Sequence, residues 1–242
     1  MTMATIIAIH QPNFFPWLGF FDKLVRCDKF IFLDDVQIPK TGGGWSNRVK
    51  VIASGNPKWI TAPIDRDYHG FRELRETRFK NNQDWRSKML CTITMSYRKA
   101  SYFDETIELI KPLILNRDDM LASYNMHAIL EIAQALSINT QKCTCSSYLN
   151  HSGKSNELLV SLVKNIGGNT YMYGGGAEGY QEQRVFDQSS ISLLCQDFCS
   201  HPYPQHGVSK FIPGLSVIDL LMNIGRERAT ALLHLNENLL HE

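Results

Sequence analysis

A histidine, two side-chain amides and a pair of carboxylates lie near the start of the chain: His10, Gln11 and Asn13, then Asp34 and Asp35. An imidazole titrates near neutral pH, so His10 is the natural proton acceptor of the set. The amides of Gln11 and Asn13 suit the reading of hydroxyl groups. Either carboxylate could orient the imidazole, bind an ammonium group or hold Mg²⁺. Neighbouring strand residues point to opposite faces, so one of Asp34 and Asp35 reaches the site unless the strand ends between them. The structural alternative for His10 is a strand-end imidazole bonded to backbone.

The elements that must position these groups are legible on either side of them. Ile6–Ile9 and Phe30–Leu33 are apolar runs of strand length, and Leu18, Phe21, Leu24 and Val25 between them have the spacing of one buried helical face. Two such strands, if parallel neighbours, bring His10-Gln11 and Asp34-Asp35 to one edge, where open α/β sheets bind ligands. Alternation resumes late in the chain. Strands are predicted over 140–144, 170–173 and 191–196, with helices over 152–166 and up to about Phe186. That βαβαβ order predicts parallel pairing. The fold class is therefore α/β, with a mainly parallel, Rossmann-like sheet.

Between these halves, 49–52 and 58–64 read as a strand pair around the Ser54-Gly55-Asn56-Pro57 turn, and 74–79 as an edge strand. Helices follow over 84–99, with Asn82 as a cap, then 102–115 and 118–136. Residues 80–137 thus form a helical block inserted in a single α/β domain spanning 1–242.

Two glycine-rich loops and one helix start complete the set. Gly42-Gly43-Gly44 leads into Trp45, Asn47 and Arg48, which offer an aromatic plane, an amide and a guanidinium to a ring-bearing, polar or anionic ligand. Gly174-Gly175-Gly176 follows a strand and precedes Glu178, Gly179 and Tyr180, a setting in which backbone amides of Gly174 and Gly175 can approach a phosphate or carboxylate. Tight turns use glycine equally often. Ser216 caps the last helix or serves a ligand. Asp219 sits inside that apolar helix and needs a partner, Arg48 being one candidate.

Composition narrows the classes. The chain has 242 residues, 43% of them apolar, and 25 Lys and Arg against 24 Asp and Glu give a net charge of +1. Sequence-independent nucleic-acid binding needs a surplus of positive charge that is absent here. No run has the length of a membrane span and no secretory leader pattern opens the chain, so a cytoplasmic location is expected. The six cysteines lack CxxC spacing and read as reduced and structural, with no metal site assigned. Nothing marks a symmetric interface, which leaves the oligomeric state open.

The run from His10 through Pro16-Trp17-Leu18-Gly19 to Asp22-Lys23, with Phe32-Leu33-Asp34-Asp35-Val36, resembles the opening of the WbqC-like family. Trp45-x-Asn47-Arg48, Tyr171-x-Tyr173 with its glycine triplet, and 211–221 resemble that family's later motifs. The resemblance implies a role in O-antigen or other surface-polysaccharide biosynthesis, as a transferase or ligase joining a glycine-like amino acid or acyl group to an amino sugar. On that reading His10 is the general base, Trp45 covers the sugar or a base, and Arg48 meets a phosphate or carboxylate. The partners implied are small molecules: an amino sugar or nucleotide-sugar and an amino acid. The strand–turn–helix–strand opening is also similar to the nucleotidylyltransferase-like superfamily, which brings in ATP and Mg²⁺ as possible cofactors. In this chain Trp17-Leu18-Gly19-Phe20 stands where those enzymes carry a paired histidine signature. The alternatives are a non-catalytic sugar-nucleotide or polysaccharide-binding protein and a structural assembly protein.

Overall fold

The computed structural model describes residues 3–41, 44–80, 83–175 and 181–237, with side chains to 234. The predicted cap Asn82, Gly42 and Gly43, and Gly176 to Tyr180 lie outside the described residues. Strands β1 (Ile6–His10), β2 (Lys29–Phe32), β5 (Cys143–Cys145), β6 (Thr170–Tyr173) and β7 (Ser192–Cys195) form a sheet in the order β5-β2-β1-β6-β7. All four pairings are parallel. The α/β class with a parallel sheet is therefore the fold of this protein, and β1 is its central strand.

The sheet is buried on both faces, and strand alternation divides the side chains cleanly. Ala8, Phe30, Phe32 and Met172 face one core with Phe20, Phe21 and Leu24 of helix α1 (Leu18–Arg26). Ile7, Ile9, Ile31 and Tyr171 face the other, with Val160, Leu162 and Val163 of α5 (Asn156–Asn165) and Phe186 of α6 (Gln183–Gln188). From β1 the chain steps to β2 with α1 on one face, and later steps from β6 to β7 with α6 on the opposite face. Reversing direction while changing face keeps the crossover hand constant. One expectation needs correction: β5 and β6 are parallel but not neighbours. They lie on opposite sides of the β2-β1 pair, so α5 carries the chain across the sheet.

The insertion between β2 and β5 opens with the hairpin β3 (Arg48–Ala53) and β4 (Asn56–Thr61), antiparallel from Arg48↔Thr61 to Ala53↔Asn56. The predicted edge strand over 74–79 does not form. Leu74–Glu76 is a single 3₁₀ turn closed by reciprocal bonds between Glu73 and Glu76, flanked by the isolated bridge pairs Gln37↔Glu73, Ile64↔Phe79 and Arg78↔Met120. Helices α2 (Trp85–Tyr97), α3 (Phe103–Ile114) and α4 (Leu121–Ala135) follow, and Asp84 caps α2 by accepting from the Ser87 amide. Their stripes Trp85-Met89-Ile93-Tyr97 and Leu121-Tyr124-Ala128-Ile132 join the same core as α1. The last element, α7 (Val217–Glu237), breaks at Gly225, whose φ of +76° is open to glycine and where a Cβ would lie 2.5 Å from the Tyr102 ring.

Candidate functional site

The β1–α1 turn sets the site's geometry. Gly19 is required there because a Cβ would lie 2.6 Å from the Trp17 ring folded over it. Phe15 is left-handed at φ +42°, a conformation that costs a bulky residue about 1–2 kcal/mol. Its fully buried ring and its carbonyl, which accepts from the Ser216 hydroxyl at 2.8 Å, hold it there. Ser216 also accepts from the Ile218 amide at 3.2 Å, so its hydroxyl fixes both the start of α7 and the turn.

Beyond this turn a cleft of about 390 Å³ opens at the carboxyl edge of the sheet. It gathers His10, Gln11, Asn13, Trp45 and Asn47 of the sequence-derived set, with Arg66, Leu159 and Tyr171. Asn125, buried in α4, joins two of its walls by donating to the carbonyls of Pro12 (2.8 Å) and Ser46 (2.7 Å). Asn47 shapes the wall: it accepts from the Gly44 amide at 3.2 Å and donates to the Ala62 carbonyl at 2.9 Å. Trp45 is 52% exposed, with its ring edge-on to Trp59 at 5.2 Å. Arg66 is the cation of the lining and donates to the Pro39 carbonyl at 2.6 Å.

His10 Nδ1 lies 2.9 Å from the Gln11 carbonyl. A carbonyl only accepts, so Nδ1 carries the proton and Nε2 is a bare acceptor. Burial, and next the Lys23 ammonium, bring the imidazole pKa down to about 4, against the pull of the Gln11 bond. His10 is therefore neutral at physiological pH. Among the described residues, neither Nε2 nor the side-chain amides of Gln11 and Asn13 has a hydrogen-bond partner.

The other sequence-derived residues are not in this lining. Asp34 accepts from the Ser147 amide (3.1 Å), the Ser147 hydroxyl (2.8 Å) and the Ser146 hydroxyl (3.1 Å). Asp35 meets the same Ser146 hydroxyl, and His151 Nε2 at 2.7 Å. Both carboxylates thus tie the end of β2 to the turn after β5. They do not converge with a third ligand, and no group of three or more His, Cys, Asp or Glu suited to a metal occurs among the described residues. Arg48 lies 4.3 Å from the Trp59 ring and not against Asp219. Asp219, fully buried, accepts instead from the hydroxyls of Tyr97 and Tyr203 (2.7 Å each) and from Gln205 (3.1 Å). Burial raises its pKa, and those bonds oppose the shift. Gly174 and Gly175 follow β6 at the same sheet edge, outside the cleft lining, where Gly174 lies against Lys23 and Gln196.

Three groups escaped the sequence reading. Arg66 and Asn125 come from the insertion, and only the tertiary fold brings them to the β1 turn. Lys23 gave a readable signal: a cation between Phe21 and Leu24 on the apolar face of a short helix.

The arrangement defines an open, parallel α/β protein with a ligand-sized cleft beside its topological switch point. The chain belongs to the WbqC-like protein family, whose pattern matches residues 11–231. It is 30% identical over 222 residues to the uncharacterized protein Rv1507c of Mycobacterium tuberculosis, an alignment that covers 91% of this chain and 94% of that protein. No solved structure matches the chain significantly. No helix among the described residues is long and apolar enough to cross a membrane.

Proposed function

We propose that this protein transfers an aminoacyl or other acyl group to the amine of an amino sugar held in the cleft, in the assembly of a surface polysaccharide. The observation that carries the reading is the neutral His10 imidazole, whose Nε2, like the side-chain amides of Gln11 and Asn13, has no partner among the described residues, beside the exposed Trp45 ring. A sugar ring stacks on an indole face, and amides without partners suit its hydroxyls. The amine nitrogen attacks the acyl carbon of an activated donor. As the C–N bond forms, the leaving group departs with its electron pair and the nitrogen's proton passes to Nε2. Asn47 and Asn125 keep the two walls at working distance.

Amide formation from an amino sugar and an activated acyl donor, followed by mass spectrometry, tests this. His10→Ala is expected to lower turnover about 10²-fold or more while acceptor binding persists. An undiminished rate in a folded variant would show that His10 is not the base. A second reading, a non-catalytic sugar or sugar-nucleotide binder, is favoured by one observation: Asp34 and Asp35 are engaged elsewhere, so the cleft offers a base without a carboxylate. Saturable heat with nucleotide-sugars and no product under any donor would select it.

A further inference from the structure

On the α1 side of the sheet, at the boundary between β1 and β6, lies a cation that the acyl-transfer scheme does not use. The Lys23 side chain comes from the core-facing side of α1, and the residue is only 4% exposed. Its Nζ reaches the turn after β6, 3.3 Å from where a Cβ on Gly174 would stand, and Gln196 Oε1 is 3.5 Å from the same point. Any side chain at 174 would crowd the amine.

The surrounding charges do not neutralise this amine. Asp22, fully buried, is paired with Arg26 at 3.3 Å and accepts from Gln196 Nε2 at 2.8 Å. Gln196 Nε2 also donates to the Gly19 carbonyl at 2.6 Å, and Arg26 donates to the Gln196 carbonyl. Arg26 thus matches Asp22, and among the described residues Lys23 is left without an ion-pair partner; burial lowers its pKa to about 8, so the amine is still mostly charged at neutral pH. The groups that face Lys23 are Asp22, Cys27, Cys195 and His10. Cys27 stays a neutral thiol, because burial pushes its pKa up to about 12. Among the described residues Lys23 makes no hydrogen bond or ion pair. Buried ammonium groups are paired or neutralised, and one held without a counter-ion at a sheet's switch point has the character of an anion site.

We infer that Lys23 binds an oxyanion of the substrate, a phosphate or a carboxylate, in the crevice beside Gly174 and Gln196. The inference rests on the reading of the neighbouring cleft as the substrate site, and it extends that substrate past His10 to a negatively charged group. It also supplies what His10 lacks. The Lys23 charge disfavours protonation of the imidazole, and an anion seated on Lys23 cancels that repulsion, so the base strengthens when the substrate is in place.

The test is an NMR titration of the full chain with inorganic phosphate and, separately, with acetate, following the Gly174 amide, the Gln196 side chain and the His10 ring. Saturable shifts at Gly174 and Gln196 with a rising His10 pKa are expected. Phosphate acting alone identifies a phosphoryl group, and acetate acting alone a carboxylate. Lys23→Met should weaken the effective anion roughly tenfold to a hundredfold. It should also raise the His10 pKa of the anion-free protein and melt no lower than wild type. No shift at Gly174 with either anion overturns the inference, as does a response that Lys23→Met leaves unchanged. Glucosamine titrated against Trp45 fluorescence separates the two readings. A sugar response without an anion response removes the lysine site and keeps the cleft; an anion response alone does the reverse.

Discussion

The two halves of the sheet's carboxyl edge handle polar groups in opposite ways. At the ends of β2 and β5, Asp34 and Asp35 are bound to Ser146, Ser147 and His151, and the single proton of the Ser146 hydroxyl is shared between two carboxylates. At the ends of β1 and β6, His10 Nε2, the amides of Gln11 and Asn13 and the amine of Lys23 have no protein partner among the described residues. Both regions looked equally reactive as residue types. What separates them is satisfaction: groups that have used their bonding capacity hold the chain together, and groups that have not are available to a ligand. The contrast also explains why a conspicuous carboxylate pair contributes nothing to the lining of the cleft.

Substitutions can break or sharpen this contrast. The largest effect is expected on the satisfied side. Asp34→Ala strands the amide and hydroxyl donors of Ser147, while Ser146 keeps Asp35 as its acceptor, and should cost about 3 kcal/mol in urea denaturation; a loss below about 0.5 kcal/mol would erase the distinction. Asn125→Ala comes next, at about 2 kcal/mol for two buried carbonyls left unpaired, with weaker ligand binding as the cleft walls separate. The pH dependence of His10 is third. Its folded pKa of about 4 lies below the ordinary 6.5, so between those values the unfolded chain holds the extra proton. Stability therefore rises with pH across that window and is lost as the pH falls through it. His10→Gln should flatten that part of the stability profile, and an unchanged slope would mean that the imidazole is not held neutral. The smallest stability effect belongs to Trp45→Ala and Gln11→Ala, which should stay within about 0.5 kcal/mol of wild type. Both should still lose about tenfold in sugar affinity, near 1.4 kcal/mol. A fold defect in either would move it to the satisfied side.

Much of the frame was legible because it rests on local patterns. The apolar runs at 6–9 and 30–33 and the helix between them form as the spacing predicts, and so do the hairpin around Ser54-Gly55 and the three inserted helices. Strand adjacency was less accessible. β5 and β6 look like consecutive partners, yet β6 pairs with β1, and nothing local to either strand encodes that choice. The run 74–79 reads as an edge strand, but the reciprocal Glu73–Glu76 bonds close its first half into a turn. For the site, His10, Gln11, Asn13, Trp45 and Asn47 were predictable from residue type near a strand end, and the structure brings them to one cleft. The partners of Asp219 were not: Tyr97 comes from α2 and Tyr203 and Gln205 from the loop before α7, and only packing shows that they displace Arg48 as its company. Lys23 was overlooked because a lysine in a helix is ordinarily solvated, and its burial depends on β6 and β7 closing over it.

The position of β1 has a consequence for how the protein is made. One edge of this strand is paired as soon as β2 emerges, but the other waits for β6, with Ile6 opposite Thr170. During synthesis from the amino end, Ile6-Ile7-Ala8-Ile9 therefore presents an open, apolar edge while the whole insertion is being translated, and such an edge templates association with other chains. The long helical insertion packs on one face of β1 and leaves that edge bare. Fragments that stop before β6 should accordingly be prone to aggregate, and Lys23 meets Gly174 and Gln196 only after most of the chain has left the ribosome.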